Sequence, residues 1–293
     1  MESEEFEAYL KAGRIASAAR ASGYGKISVG ASLLRVAEFV ESEIVRLGGS
    51  PAFPTNISTN SAAAHYTPRR ADPAIFKDGD VVKLDLGVSV NGFVADTAVT
   101  KVLSDNPKHA EMKIAAGAAL AAVGRAIGPG VAVSEIGAVI EEAITSRGFK
   151  PIYNLTGHLL KRFDLHAGLS VPNYRSGRGE IPGECAVAIE PFATDGDGYV
   201  ENGAPSEIYL IVPERKLRLP IERELFARLR GKFSTLPFTS RWVPEEDLPI
   251  LKRLVLSGAA HNYPVLQEKS GGVVAQAEHT FLVSGGKVTV TTA

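Results

Sequence analysis

Two extended runs joined by Asn91-Gly92 constrain this chain more than any other feature, because they fix which side chains share a face. Residues 83–90 alternate small or polar with apolar side chains, as a strand does. Asn91-Gly92 is the strongest short signal for a two-residue hairpin turn, and a second extended run covers 93–102. With that turn, Val90 pairs with Phe93, Gly87 with Asp96 and Asp85 with Ala98. Paired residues share a face, as do residues two apart on one strand. Asp85 and Asp96 are therefore diagonal neighbours, with Cα atoms roughly 7–8 Å apart. Carboxylates held that close repel unless a proton or a cation lies between them. A pair of divalent ions about 3.5–4 Å apart suits the gap. A solvated polar face on a surface hairpin is the alternative, and the hairpin alone does not choose.

The rest of the composition sets bounds. The chain has 293 residues, 45% hydrophobic and 22% charged, which suits one large globular domain or one domain with a substantial insertion. Lys and Arg number 32 against 33 Asp and Glu, a net charge of -1, so no electrostatic case exists for nucleic acid or anionic membrane as a partner. A lone cysteine, Cys185, allows no intrachain disulfide and fits a reducing compartment. It sits in the apolar run 185–189 and is expected to be a buried structural thiol rather than a nucleophile. The acidic start, MESEEFEAYL, lacks the apolar core of a signal peptide. The apolar stretch at 114–123 is too short for a bilayer. A cytoplasmic location without a membrane anchor is the expectation.

Helices are expected at 3–22 and 32–47. The second carries an apolar stripe of Leu33, Val36, Phe39, Val40, Ile44 and Leu47 and is ended by Gly48-Gly49. Residues 51–80 read as a long Pro/Asn/Ser-rich loop that contains His65, and loops of that length are usually functional or disordered. Two helices follow the hairpin, at 107–127 and 133–147, the latter with Ser134 as its cap and Gly148 as its stop. Strands dominate 152–213. Helical patterns at 221–232 and 245–258 make residues 214–268 a compact helical insertion within a single domain spanning 1–293. Strands at 278–284 and 287–291 close the chain about Gly285-Gly286. The class is α+β.

Further charged residues occupy places where charge needs a reason. Glu190 ends the apolar run 186–189, and Glu278 opens a strand of the same kind; an unpaired buried carboxylate is costly. His158 lies in the strand-rich half. His279 points to the opposite face from Glu278 and is expected to be structural. Asp85, Asp96, His158, Glu190 and Glu278 occur within the stretches AFPTNISTNSAAAHYTP, KLDLGVSVNGFVADTA, NLTGH, LHAGLSVPN, AIEPFATDGDG, FSTLPFTSRW and AQAEHT. In that order and context they resemble the pita-bread metallopeptidases, and within these the type II (archaeal and eukaryotic) methionine aminopeptidases. The resemblance covers essentially the whole chain and is similar to the short archaeal form.

The resemblance implies a pita-bread fold with a helical type II insertion. It implies two divalent ions held by Asp85, Asp96, His158, Glu190 and Glu278, with Asp96 and Glu278 bridging both. It implies removal of N-terminal methionine from nascent peptides by a metal-activated water. Glu190 would relay the proton, His166 would stabilise the oxyanion and His65 would orient the scissile amide. By resemblance Phe53 lines the methionine pocket, with Leu165 and the turn Leu236-Pro237-Phe238 as further walls; Pro237 stands where the family leads one to expect a small residue. Four carboxylates and one imidazole favour Mn, Fe or Co over a tetrahedral structural Zn site, although Zn stays on the list and the native ion is not readable. A monomer is the default, and the ribosome is a further candidate partner. Two other readings stay open: another pita-bread peptidase such as a prolidase or aminopeptidase P, and a non-catalytic pita-bread binding protein.

Overall fold

The computed structural model describes residues 1–213, 215 and 217–293. Residue 214, where the insertion is expected to begin, lies outside the described residues. The chain opens with α1 (Ser3–Lys26) and α2 (Leu33–Arg46), then short strands β1 (Ser50–Pro51), β2 (Asn56–Thr59) and β3 (Ala62–Ala64), then the hairpin β4 (Val81–Val90) and β5 (Phe93–Val102). Next come α3 (Pro107–Ala126), α4 (Val133–Thr145), β6 (Lys150–Pro151), β7 (Thr156–Leu160), β8 (Ser170–Pro172), β9 (Cys185–Ile189), β10 (Phe192–Thr194) and β11 (Val200–Ile211). The last part holds α5 (Pro220–Phe233), β12 (Phe238–Thr239), α6 (Leu248–Leu256), β13 (Ala260–Glu268), β14 (Val274–Ser284) and β15 (Lys287–Val290).

One large sheet runs in the order β1-β4-β5-β14-β9-β7-β8, and a smaller one in the order β12-β11-β13-β3. Alternation along each strand separates two environments. Leu84, Leu86, Val88 and Ala95 pack with Val36, Val40 and Ile44 under α1 and α2. Val187, Ile189, Phe281 and Val283 pack with Met112, Ile136 and Ile140 under α3 and α4. All four helices thus cover one face, and the opposite face is left for Asp85, Asp96, His158 and Glu278.

Local chemistry explains the helix ends. The Ser32 hydroxyl accepts from Arg35 N–H and caps α2, while Asn106 accepts from Lys108 N–H ahead of Pro107 in α3. At α4 the expected cap is not used. Ser134 lies inside the helix, and Ala132 stands at the cap with no side-chain bond. The Val133 N–H donates instead to Gly179 O at 3.0 Å, so a distant loop supplies the missing acceptor. In the α2 stripe Phe39 and Leu47 are only partly buried.

The stretch 51–80 is not one loop. It contains β2, whose Asn56 and Ile57 pair with Asp85 and Leu84, and β3, which pairs with β13. Within 214–268 the helical character ends at Leu256; residues 260–268 form β13, which pairs along much of its length with β11. Cys185 is half-buried rather than buried, and burial with the neighbouring Glu184 pushes its thiol up to about 11, so it stays protonated. Among the described residues no helix is long and apolar enough to cross a membrane.

Candidate metal and substrate site

Register builds the site. Asp85 pairs with Ala98 on β5, and Ala98 pairs in turn with Glu278 on β14. Ile189 pairs with His279, so Glu190, one residue on, stands beside Glu278. The adjacent row on the same face contains Gly87 opposite Asp96, then Thr280 opposite Ala188 and Ala188 opposite His158. Asp96 N–H donates to Thr280 Oγ1 at 2.8 Å, and that hydroxyl donates to Asp96 O at 2.8 Å, which locks the two strands at this point. The residues between the charged ones are Gly87, Ala98, Ala188 and Thr280. Their small side chains leave an open cup floored by backbone.

Into this cup five donor groups converge. Asp96, His158 and Glu278 each offer a ligand atom, all within 4.8 Å of one another. His158 Nε2 lies 3.9 Å from Asp96 Oδ2 and 3.6 Å from Glu190 Oε1. These separations are too long for hydrogen bonds and suit a shared ion, whose bonds to oxygen and nitrogen are about 2.0–2.2 Å. Asp85 Oδ1, Asp96 Oδ1 and His158 Nδ1 are buried with no partner. Native proteins seldom leave such groups orphaned.

The electrostatics agree. Burial pushes the Asp85 carboxyl up to about 7. Asp96, Glu190 and Glu278 are held well above the ordinary carboxylate range, first by burial and then by repulsion from one another and Asp85. Burial, with His166 beside it, pushes His158 down to about 3, leaving a neutral imidazole with a free lone pair. Four acidic groups that cannot all ionise alone, next to a neutral imidazole, form a site that accepts divalent cations.

The other expected residues line the same cavity of about 230 Å³. Phe53, His65, Leu165, His166 and Pro237 all contribute to its wall with the five donors. The His166 ring is 4.4 Å from that of His158, and the His65 ring is 5.5 Å from Tyr263. His65 has φ 65°, uncommon for a residue other than glycine, and its Nδ1 is buried without a partner. Burial and the nearby His166 push His65 down to about 4, and burial lowers His166 too, so both rings are neutral near pH 7.

Two expectations for the pocket need correction. Phe238 does not face the cavity; it stacks on Phe233 at 4.7 Å within the core formed by α5 and α6. Leu236 packs beside Phe53 and Leu165 but opens onto a separate cleft of about 1150 Å³. That cleft shares Pro237 with the smaller cavity and contains none of the five donors. Size does not make it the chemical centre. His279 lies on the helix side as expected, bonded to Thr292 Oγ1 at 2.8 Å and next to Arg20.

Sequence reasoning missed Asn56, Ile208, Tyr263 and Leu266, which also line the cavity. Asn56 sits inside a quoted stretch, but only its pairing with Asp85 gives it a place at the site. The other three come from β11 and β13, a sheet whose position no local pattern announces.

Comparison with known proteins gives a consistent picture. The profile described as metallopeptidase family M24 matches residues 7–284. The chain is 45% identical over 295 residues to a methionine aminopeptidase of Methanocaldococcus jannaschii, with 100% of both chains covered. It is 46% identical over 293 residues to one of Archaeoglobus fulgidus, again with 100% of both covered. Among solved structures it is similar to a thermophilic Arx1, with TM-score 0.87 at 17% identity over 99% of this chain and 91% of that one. It is also similar to a methionine aminopeptidase from Thermotoga maritima, with TM-score 0.74 at 22% identity over 100% and 98%.

Proposed function

The chain belongs to metallopeptidase family M24, and from that premise we propose that it is a methionine aminopeptidase, a metallo-exopeptidase that removes N-terminal methionine from nascent polypeptides. The observation that carries this reading is the convergence of Asp85, Asp96, His158, Glu190 and Glu278 on one face of one sheet, around buried atoms that lack partners. The donor set fits divalent cations. Our reading is two ions, drawn from Mn, Fe, Co or Zn, which Asp85, Asp96, His158, Glu190 and Glu278 would hold. When bound, such ions supply Lewis acidity: they acidify water and polarise a peptide carbonyl.

The chain's own residues do the rest. Phe53, Leu165 and Pro237 line the cavity beside the donors with apolar surface, against which the methionine side chain would pack. His65 has a neutral ring held by the Tyr263 edge, and its unpartnered Nδ1 would bond the scissile amide and align it. The neutral His166 would donate to the oxygen on which charge grows, a contact that strengthens in the transition state. Glu190 would take a proton from water and deliver it to the leaving amine.

The same reading takes residues 1–293 as a single pita-bread domain, with 214–268 as the segment inserted between Glu190 and Glu278. It places the protein in the cytoplasm as a monomer, acting where nascent chains leave the ribosome. The test is release of free methionine from Met-Gly-Met-Met and from Met-Pro peptides by metal-stripped protein, with Mn, Co, Fe or Zn restored one at a time. Ion-dependent release of the first methionine alone is expected. No release with any ion, or release of other residues preceding proline, would overturn it.

A further inference from the structure

We infer that Asn56 is a substrate-binding residue whose side-chain carbonyl accepts a hydrogen bond from the free α-amino group of the peptide. This deepens the peptidase reading and rests on it. Asn56 is 3% exposed, lies directly across the β2–β4 ladder from Asp85, and lines the cavity of about 230 Å³. Its Nδ2 donates to Asp85 Oδ2 at 3.4 Å. That contact fixes the amide's orientation, since the opposite flip would set two oxygens against each other beside an acidic group. The carbonyl oxygen is then left buried with no donor.

Gln276 shows that the orphaned oxygen at Asn56 is placed for a ligand. Gln276 repeats the same bond on the other flank of the cluster: its Nε2 donates to Glu278 Oε2 at 3.4 Å, and its Oε1 is also buried without a donor. Gln276 is not part of the cavity wall, whereas Asn56 is. Of the two orphaned amide oxygens, only the one at Asn56 belongs to a residue of the cavity wall.

The wall around Asn56 tells which group that is. Asp85, Asp96, Glu190 and Glu278 give a rim rich in acceptors. A methionyl peptide has one group with several donors, its N-terminal amine. A neutral amide oxygen accepts from that amine whether or not it carries its extra proton, and adds no charge to a crowded acidic cluster. An apolar substitution would leave the amine one acceptor short in a desolvated site, which costs roughly tenfold in affinity.

The test uses calorimetric binding of two non-hydrolysable probes to Mn-loaded full-length protein: methioninol, which carries the amine, and 4-(methylthio)butan-1-ol, which lacks it. Wild type should prefer methioninol. Asn56→Ala should lose about tenfold for methioninol and nothing for the desamino probe, at unchanged Mn stoichiometry; Asn56→Ser repeats the measurement should the alanine variant not fold. Equal losses for the two probes, no loss for either, or a metal deficit that excess Mn does not restore would overturn the inference. Failure of wild type to bind either probe would overturn the peptidase reading and the inference with it.

Discussion

Removing the carboxylate of Glu41 should destabilise the whole protein far more than an ordinary surface ion pair. Glu41 on α2 is buried and accepts four hydrogen bonds. Arg241 gives two, at 2.8 and 2.7 Å, Trp242 Nε1 gives one at 3.0 Å, and Thr55 N–H gives one at 3.2 Å. Arg241 also donates to Pro68 O at 2.8 Å and to Thr67 Oγ1 at 3.2 Å. Side-chain exposure is 5% for Arg241 and 9% for Glu41, so water screens neither. Glu41→Ala strands a buried guanidinium together with two N–H donors. Breaking a buried pair from one side costs about 3–5 kcal/mol, and at about 2–4 °C per kcal/mol for a chain of this size the melting point should fall by roughly 6–20 °C. Glu41→Ala with Arg241→Met removes both charges and should recover part of that loss, because the orphaned cation is gone while Trp242 Nε1 and Thr55 N–H stay without their acceptor. The assay is urea unfolding at fixed metal concentration, with both single variants and the double variant in one cycle. A loss below about 1 kcal/mol for Glu41→Ala at unchanged m-value would refute the reasoning, because exposed pairs cost that little. Thr55 lies between Phe53 and Asn56, so the variant should also raise KM for methionyl peptides.

Glu278→Ala should abolish methionine release while near-UV circular dichroism stays native, and metal analysis should show lost stoichiometry; near-normal turnover would sink the assigned ligand set. Gly87→Ala should raise KM for methionyl peptides more than it lowers kcat, since a Cβ there would collide with the Phe53 ring and push it into the recess; an unchanged KM counts against Phe53 as a pocket wall. Metal-free protein should lose stability as pH rises from about 6.5 through 7. Asp85 is raised to about 7 and its three acidic neighbours well above the ordinary carboxylate range, so the folded state holds protons the unfolded chain has already released, and raising the pH then favours unfolding. His65 and His279, both lowered to about 4, act only below that window, where they destabilise the fold as pH falls from about 6.5. Metal-loaded protein should be flat across pH 6.5–8, so stabilisation by metal grows with pH; parallel thermal melts with and without Mn check this, and an apo melting point that rises with pH contradicts it.

What the sequence determined by itself was local or periodic. The Asn91-Gly92 hairpin came out in the register read from alternation, with Gly87 opposite Asp96 and Asp85 opposite Ala98, because a two-residue turn leaves no other pairing. The opposite facing of Glu278 and His279 followed from the same period of two. The quoted stretches pointed to the M24 family; the five donors, His65, His166, Phe53, Leu165 and Pro237 named from them line one cavity, whereas Leu236 and Phe238 do not.

Tertiary structure decided what pairing at a distance decides. That β14 lies between β5 and β9, setting Glu278 beside Asp85 and Glu190, depends on strands nearly 200 positions apart, and no local pattern encodes which strands meet. The Asn56 bond to Asp85, the wall made by Ile208, Tyr263 and Leu266, and the Glu41–Arg241 clamp across 200 residues are of the same kind. So is the start of α4, where Gly179 replaced the cap that Ser134 seemed to offer by sequence. Local propensity is a matter of tenths to about one kcal/mol per residue, and a buried contact between distant segments outweighs it.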